Sequence, residues 1–259
     1  MKTDPLPDLI ENNLYSLYRG FALAGNYALT ELPSYSWIKT DLSVFPGNVF
    51  QIDPGMDENA LSDLVGMIKE DQVSPFLIFR NDKVDSAFIE RLKTKGFRQV
   101  MHWPGMALPL QHNHKWTVAA DLNITVKKIR NTEEIGNWAG MVEQILFNGK
   151  GIDRKVLKSL ILTQELCLYT GYIDGIPAGT LLLWTRDQVA GLYMITTLPA
   201  FRHKGVAWQI TNTAIRDAAV TGYHYAVLES TPQGLSLYRK AGFLEYCSFS
   251  IYWMLGKNK

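Results

Sequence analysis

The sequence predicts an α/β (α+β) fold in which a mixed, mostly antiparallel sheet is flanked by helices on both faces. Three observations carry that expectation. Apolar residues run in strand-length segments through the second half of the chain, with tight-turn pairs between them. A basic, glycine-containing turn, Pro199-Ala200-Phe201-Arg202-His203-Lys204-Gly205-Val206-Ala207, joins one such segment to an amphipathic helix. Strand and helix patterns then alternate to the end of the sequence.

The elements follow in order from Ile124. Ile124 to Ile129 alternates as a strand, and Thr132 with Glu133 and Glu134 opens a helix carrying Ile135, Trp138, Ala139, Val142 and Ile145. A helical stretch from Asp153 to Leu162 precedes a strand at Leu166 to Ile173. Asp174-Gly175 fits a tight hairpin turn because both residues tolerate positive φ, and Pro177 to Trp184 returns as the partner strand. A second hairpin through Arg186-Asp187-Gln188 leads into Val189 to Thr197. After the basic turn, Val206, Ile210, Ala214, Ala218 and Val220 form a helical stripe that Gly222 ends. A strand at Tyr225 to Glu229, a loop with Pro232 and Gly234, a helix around Leu235 to Lys240 stopped by Gly242, and a strand at Glu245 to Met254 complete the series.

Composition bounds the function. The 259 residues favour two domains over one, and 47% apolar with 20% charged residues is ordinary for a chain that folds throughout. A formal net charge of +1 and the lack of a basic stripe with interleaved aromatics argue against a nucleic-acid partner. Cys167 and Cys247 have neither metal nor disulfide spacing and read as reduced thiols. Met1 to Asp8 has no apolar stretch of signal-peptide type, and runs such as Thr180 to Trp184 are too short to cross a bilayer, so a soluble cytoplasmic protein with no membrane partner is expected. His112 and His114 with nearby His102 lack further ligands of suitable spacing, so no metal site is expected.

The basic turn has the chemistry of an anion cradle. A strand that enters a helix through such a turn leaves the helix's first N–H groups unpaired and aimed at one spot. Gly205 lets the backbone approach a phosphate without a Cβ, Ala207 keeps the next turn slim, and Arg202 and Lys204 add charge.

Two motifs together resemble the GNAT acetyltransferase family: Arg-x-x-Gly-x-Ala at Arg202, Gly205 and Ala207, and Leu-Tyr-x-x-x-Gly-Phe at Leu237, Tyr238, Gly242 and Phe243. The resemblance covers Ile124 to Lys259 and implies the acyl-CoA N-acyltransferase fold. It also implies that acetyl-CoA is the cosubstrate, its pyrophosphate held by Arg202, His203, Lys204, Gly205, Val206 and Ala207. The strand before the cradle, through Ile195, Thr196 and Thr197, would pair its backbone with the pantetheine arm, with Ile195 and Thr197 at the family's contact positions. Tyr238 matches the tyrosine assigned as general acid. A phenol of pKa ~10 stays protonated at neutral pH and can donate to a departing thiolate of pKa ~8.5; the alternative is a tyrosine packed under Phe243 with a bonded hydroxyl. Glu229 is the candidate base, relaying a proton through water, although a strand-end glutamate is more often a solvated surface group; the resemblance equally allows ordered water in place of a dedicated base. His224 and Tyr193 are weaker candidates. The asparagine that commonly contacts the pantetheine arm is not found in the loop after Glu229, where Ser230, Thr231, Pro232, Gln233 and Gly234 stand; Ser230 either reaches the cofactor or serves the turn. Trp184 and Tyr193, on adjacent strands, are candidates to line the acceptor pocket.

The first half repeats part of this order. After Trp37 to Phe50 come a helix at Glu58 to Lys69, an apolar strand at Pro75 to Phe79, a helix at Val84 to Lys95 ended by Gly96-Phe97, and an extended stretch from Arg98 to Leu108. Arg91 to Phe97 lies over Leu237 to Phe243 and puts Leu92 where Tyr238 stands. No cradle motif occurs between Phe50 and Phe79. The expectation is therefore two tandem halves: a degenerate GNAT-like domain at 1–115 and an N-acetyltransferase domain at 123–259, with polar Gln111 to Asp121 as linker. The expected activity is direct transfer of the acetyl group of acetyl-CoA to a primary amine, of a small molecule or a peptide, in a ternary complex. The alternative is a catalytically silent acetyl-CoA-binding or interaction protein with a duplicated fold. Packing, formation of a homodimer and shaping of the substrate cleft are the roles open to the first half.

Overall fold

The computed structural model describes residues 5–40, 45–47, 49–110, 123–149 and 151–256; the linker expected at Gln111 to Asp121, with His112 and His114, lies outside them. The first half runs α1 (Leu6–Gly25), β1 (Ala28–Glu31), β2 (Ser36–Lys39), β3 (Val49–Phe50), α2 (Glu58–Lys69), β4 (Phe76–Arg80), α3 (Ser86–Thr94) and β5 (Phe97–Pro109). The second runs β6 (Ile124–Ile129), α4 (Thr132–Leu146), α5 (Arg154–Leu162), β7 (Leu166–Ile173), β8 (Ile176–Arg186), β9 (Val189–Thr197), α6 (Val206–Thr221), β10 (Tyr225–Glu229), α7 (Leu235–Lys240) and β11 (Leu244–Met254).

Local chemistry sets these bounds. Asn131 Oδ1 accepts the Glu134 N–H at 2.9 Å and Asp153 Oδ1 accepts that of Lys155 at 2.7 Å, so side-chain caps start α4 and α5. Asp174 and Gly175 take φ of 50° and 79°, and Asp187 and Gln188 take 48° and 64°; both hairpins thus turn through the left-handed pairs that match strand twist. Gly96 and Gly242 end α3 and α7 at φ of 94° and 95°, and each hands on to a buried phenylalanine, Phe97 or Phe243. One detail of the expected α6 stripe fails. Val220 is 82% exposed, because at about 100° per residue it stands about 160° round the helix from Ala218, in the middle of the buried face, which Ile215 and Ala219 complete instead.

All eleven strands form one sheet in the order β1-β2-β3-β4-β11-β5-β10-β9-β8-β7-β6. Among the strands of the described residues only β3–β4 and β9–β10 pair in parallel. The halves exchange their last strands: β5 lies beside β10 of the second half, β11 lies beside β4 of the first, and β5 and β11 pair with each other at the centre. Neither half completes its sheet alone.

Helices α6 and α7 cover one face of the second half, and α2 and α3 cover the same face of the first. On the opposite face α1 lies beside α4 and α5, its Leu6, Ile10, Leu14, Leu17 and Phe21 buried in a core shared by both halves. At roughly 1.5–3 kcal/mol for each fully buried large apolar side chain, this one helix supplies a large part of the attachment between them.

Candidate functional site

The parallel pair β9–β10 opens into a fork. Its pairing stops at Val227 opposite Gly191, while β10 continues through Leu228 and Glu229, and β9 through Leu192 to Thr197. A bulge in β9 accompanies the parting. The register against β8 shifts between Thr180 and Leu182, and Met194 there takes a left-handed φ of 49°. Thr180 fixes the bulge from the other side, donating to Met194 O at 2.8 Å and sharing a hydrogen bond of 2.6 Å with Thr196 Oγ1. Ile195 and Thr197 are half-buried, Thr196 is buried, and among the described residues no strand pairs with this part of β9 on the side facing the fork.

At the mouth of the fork, β9 passes through Pro199–Phe201 into α6. Gly205 stands at the helix N-cap with φ of 86°, and no side chain caps the first turn. The first helical bond is Gln209 N–H to Gly205 O, so the preceding N–H groups point outward beside exposed Arg202, His203 and Lys204. A Cβ at Gly205 would meet only Ile124 Cδ1, at 3.6 Å. Glycine is thus required by conformation rather than by crowding. Close packing fixes the helix start: Cβ atoms at Gly171 and Gly179 would come within 2.6 Å of Ile210 Cδ1 and 2.9 Å of Val206 Cγ1.

Glu229 and Tyr238 flank the fork from opposite faces. Glu229 lies two residues beyond Val227 on the α1 face, opposite Gly105, whose surroundings are Cys247, Phe249 and Ile10. Its Oε1 is out of solvent and has no hydrogen-bond partner among the described residues, and burial pushes the carboxyl up to about 8. The solvated surface group favoured by strand-end statistics is therefore not what stands here, because β5, donated by the first half, closes over the end of β10. Tyr238 lies on the other face, in the core under α6, edge-on to Phe243 at 6.1 Å and 8% exposed. Among the described residues its hydroxyl makes no hydrogen bond, and burial raises its pKa.

The weaker candidates separate from this pair. Tyr193 OH donates to Asn13 Oδ1 at 2.7 Å, and burial followed by the nearby Glu229 raises its pKa, so it is no base. Trp184 does not line a pocket: it is 1% exposed, its Nε1–H donates to Ser16 Oγ at 2.8 Å, and it packs so closely on α1 that a Cβ at Gly20 would lie 2.4 Å from its ring. His224 precedes the closed end of the pair, about 17 Å of strand from Glu229. Ser230 is fully buried and donates to Thr231 O at 2.8 Å, a bond within the turn. Burial raises the Cys247 thiol to about 12, consistent with an inert core cysteine. No group of three metal-ligating side chains occurs among the described residues, nor any helix long and apolar enough to cross a membrane.

Sequence reasoning missed α1 and with it Asn13. A Cβ on Gly191 would lie 2.0 Å from Asn13 Oδ1, so helix and strand are keyed together at the fork. The signal was present as the Leu6, Ile10, Leu14, Leu17, Phe21 stripe behind a proline.

Among the described residues the first half shows no equivalent cradle. Its β3 is two residues long, and α2 begins with Asp57, whose Oδ1 accepts the Ala60 N–H at 2.8 Å, followed by Glu58. Those charges occupy and repel where a phosphate would need donors. Leu92, the counterpart of Tyr238, is fully buried.

Residues 137–243 match the model of the acetyltransferase (GNAT) family. No curated protein sequence matches the chain. Among solved structures, a GCN5-related N-acetyltransferase from Kribbella flavida superposes with a TM-score of 0.69 at 14% identity over 96% of each chain. A tandem GNAT protein from the clavulanic acid biosynthesis pathway gives 0.58 at 9% identity over 97% of each chain. A GCN5-related N-acetyltransferase from Sphaerobacter thermophilus gives 0.54 at 14% identity over 85% of this chain and 76% of its own. The chain thus carries, in residues 137–243, a domain of the acetyltransferase (GNAT) family within a tandem GNAT fold.

Proposed function

We propose that the second half, residues 123–259, transfers the acetyl group of acetyl-CoA to a primary amine by direct attack in a ternary complex, and that the first half, 1–115, binds no cosubstrate. The observation that carries the reading is the fork itself: an uncapped helix N-terminus at its mouth and, at its base, a carboxyl with one buried oxygen that has no partner among the described residues. The N–H groups of Gly205, Val206 and Ala207, with Arg202, His203 and Lys204, suit a pyrophosphate. The free edge of β9 at Ile195 to Thr197 suits an extended amide-bearing arm, which would pair as a further strand. Threaded so, the thioester would lie in the gap between β9 and β10, with Tyr238 on one side of the sheet and Glu229 on the other.

The roles follow from those positions. The amine approaches from the α1 face as an ammonium, and Glu229 as carboxylate takes its proton, so that a lone pair is free to attack the thioester carbonyl. A carboxyl near 8 is matched to that task around neutrality, whereas one at its ordinary value would be a far weaker base. The C–N bond forms, the C–S bond breaks with charge collecting on sulfur, and the second proton of the attacking nitrogen, made acidic by the new bond, passes to the thiolate. Burial makes Tyr238 a poorer acid than a phenol in water. Its contribution is therefore a hydrogen bond to the departing thiolate. Removal of the hydroxyl in Tyr238→Phe should leave acetyl-CoA affinity unchanged and lower kcat by about 10–10³-fold. Wild-type turnover by that variant would remove Tyr238 from the reaction. Tight acetyl-CoA binding without thioester loss across a broad amine panel would favour a silent binding protein instead.

A further inference from the structure

The first half has a fork of its own, and a cavity stands at it. Strands β3 and β4 pair in parallel at Val49 opposite Leu77, and their C-terminal ends part towards Gln51 to Asp53 on one side and Lys83 on the other. Between them and α1 lies a cavity of about 320 Å³, at the small end of the range for small-molecule sites. Its place in the repeat is the one the β9–β10 fork occupies in the second half, since β3-α2-β4-α3-β5 runs parallel in order to β9-α6-β10-α7-β11. Carboxyl ends of parallel strands are where open sheets hold ligands.

The lining excludes a nucleotide-like ligand and favours a dipolar one. The nearby helix start, α2, is closed by Asp57 and Glu58. Charged groups of both signs line the cavity and balance: Arg19 and Lys83 against Glu11 and Asp53. Glu11 is already saturated by Lys83, Arg80 and Tyr15. Asp53 gives one oxygen to the Gly55 N–H at 2.8 Å, and its other oxygen has no partner among the described residues. Arg19 donates from Nε to Glu31 at 2.8 Å and from Nη2 to Gln51, leaving Nη1 without a partner among the described residues. Gln51, held at a left-handed φ of 53°, is a strained non-glycine residue in the cavity wall, as is common where backbone serves a ligand.

We propose that this cavity binds a small zwitterion of the α-amino acid type, its carboxylate on the open Nη1 of Arg19 with Lys83 beside it and its ammonium on Asp53. The ligand is not acetylated there, because no cradle and no counterpart of Tyr238 stand at this fork. The site is thus separate from acetyl transfer and is tested separately. Calorimetric titration of the full chain with L-serine, L-leucine, L-lysine and L-glutamate at about pH 7, where the amino acids are zwitterions, should give saturable binding of at least one of them. The amine and the acid matched to that ligand, each lacking one of its charges, should bind several-fold more weakly, because one leaves the open Nη1 of half-buried Arg19 and the other the free oxygen of exposed Asp53 unanswered. Asp53→Asn keeps the turn bond to Gly55 and should weaken amino acid binding by a similar factor while leaving acetyl-CoA binding unchanged. No saturable heat from any of the four, equal binding of the lone amine or acid, or wild-type affinity in Asp53→Asn with acetyl-CoA binding intact would each overturn the proposal.

Discussion

Replacing Glu229 by glutamine keeps the side chain's shape in its enclosure and removes its capacity to take a proton. With the carboxyl at about 8, roughly a tenth of wild-type molecules carry the carboxylate at about pH 7 and roughly nine tenths at about pH 9. If the amine binds as ammonium and Glu229 deprotonates it, kcat/KM should rise about tenfold per pH unit below about 8, bend there, and stay level up to the amine's own pKa of about 10. In Glu229→Gln only amine already neutral in solution reacts. Its profile should keep climbing to about 10 and lie about 10²–10⁴-fold below wild type at about pH 7. Continuous detection of released CoA thiol, with acetyl-CoA saturating and amine well below KM, measures both profiles. A variant whose profile bends near 8 like the wild type would refute the assignment of the base. A wild-type profile with no bend near 8 would refute the argument from burial.

The same carboxyl makes stability depend on pH. Its folded value lies above its ordinary 4.5, so the stability it contributes is fully present below about 4.5 and is lost as pH rises through about 8, a difference of up to about 5 kcal/mol. Tm should therefore fall more between about pH 5 and about pH 9 in wild type than in Glu229→Gln; equal falls would contradict it. Gly205→Val places a β-branched residue at φ of 86°, where a non-glycine residue costs about 1–2 kcal/mol or more, and should weaken acetyl-CoA binding about tenfold or more by disturbing the first turn of α6. An unchanged thermal shift on adding acetyl-CoA would contradict that. Because the halves exchange β5 and β11, residues 123–256 expressed alone should fail to give a cooperative thermal transition, whereas co-expression with residues 5–110 should restore one. A soluble, cooperatively folding second half on its own would show that the exchange is dispensable.

The second half was legible because its determinants are local. Turn pairs such as Asp174-Gly175, the terminator Gly222 and the alternation of Val189 to Thr197 each act within a few residues, and the strands and helices stand where those signals place them. What depends on distant chain segments was not legible. The state of Glu229 follows from β5 lying beside β10, and nothing near Glu229 in sequence says which strand will do so. The burial of Trp184 follows likewise from α1 and its Ser16, some 168 residues away. Repetition of Gly96-Phe97 as Gly242-Phe243 did announce two related halves, but not that their last strands are traded.

We propose that one fork of the two is built for acetyl-CoA. Calorimetric titration of acetyl-CoA into the full chain measures it directly, through the number of sites. One site per chain is predicted, filled by the half with the uncapped helix α6 and left empty by the half whose α2 is closed by Asp57. Two equivalent sites, or none, would contradict the account.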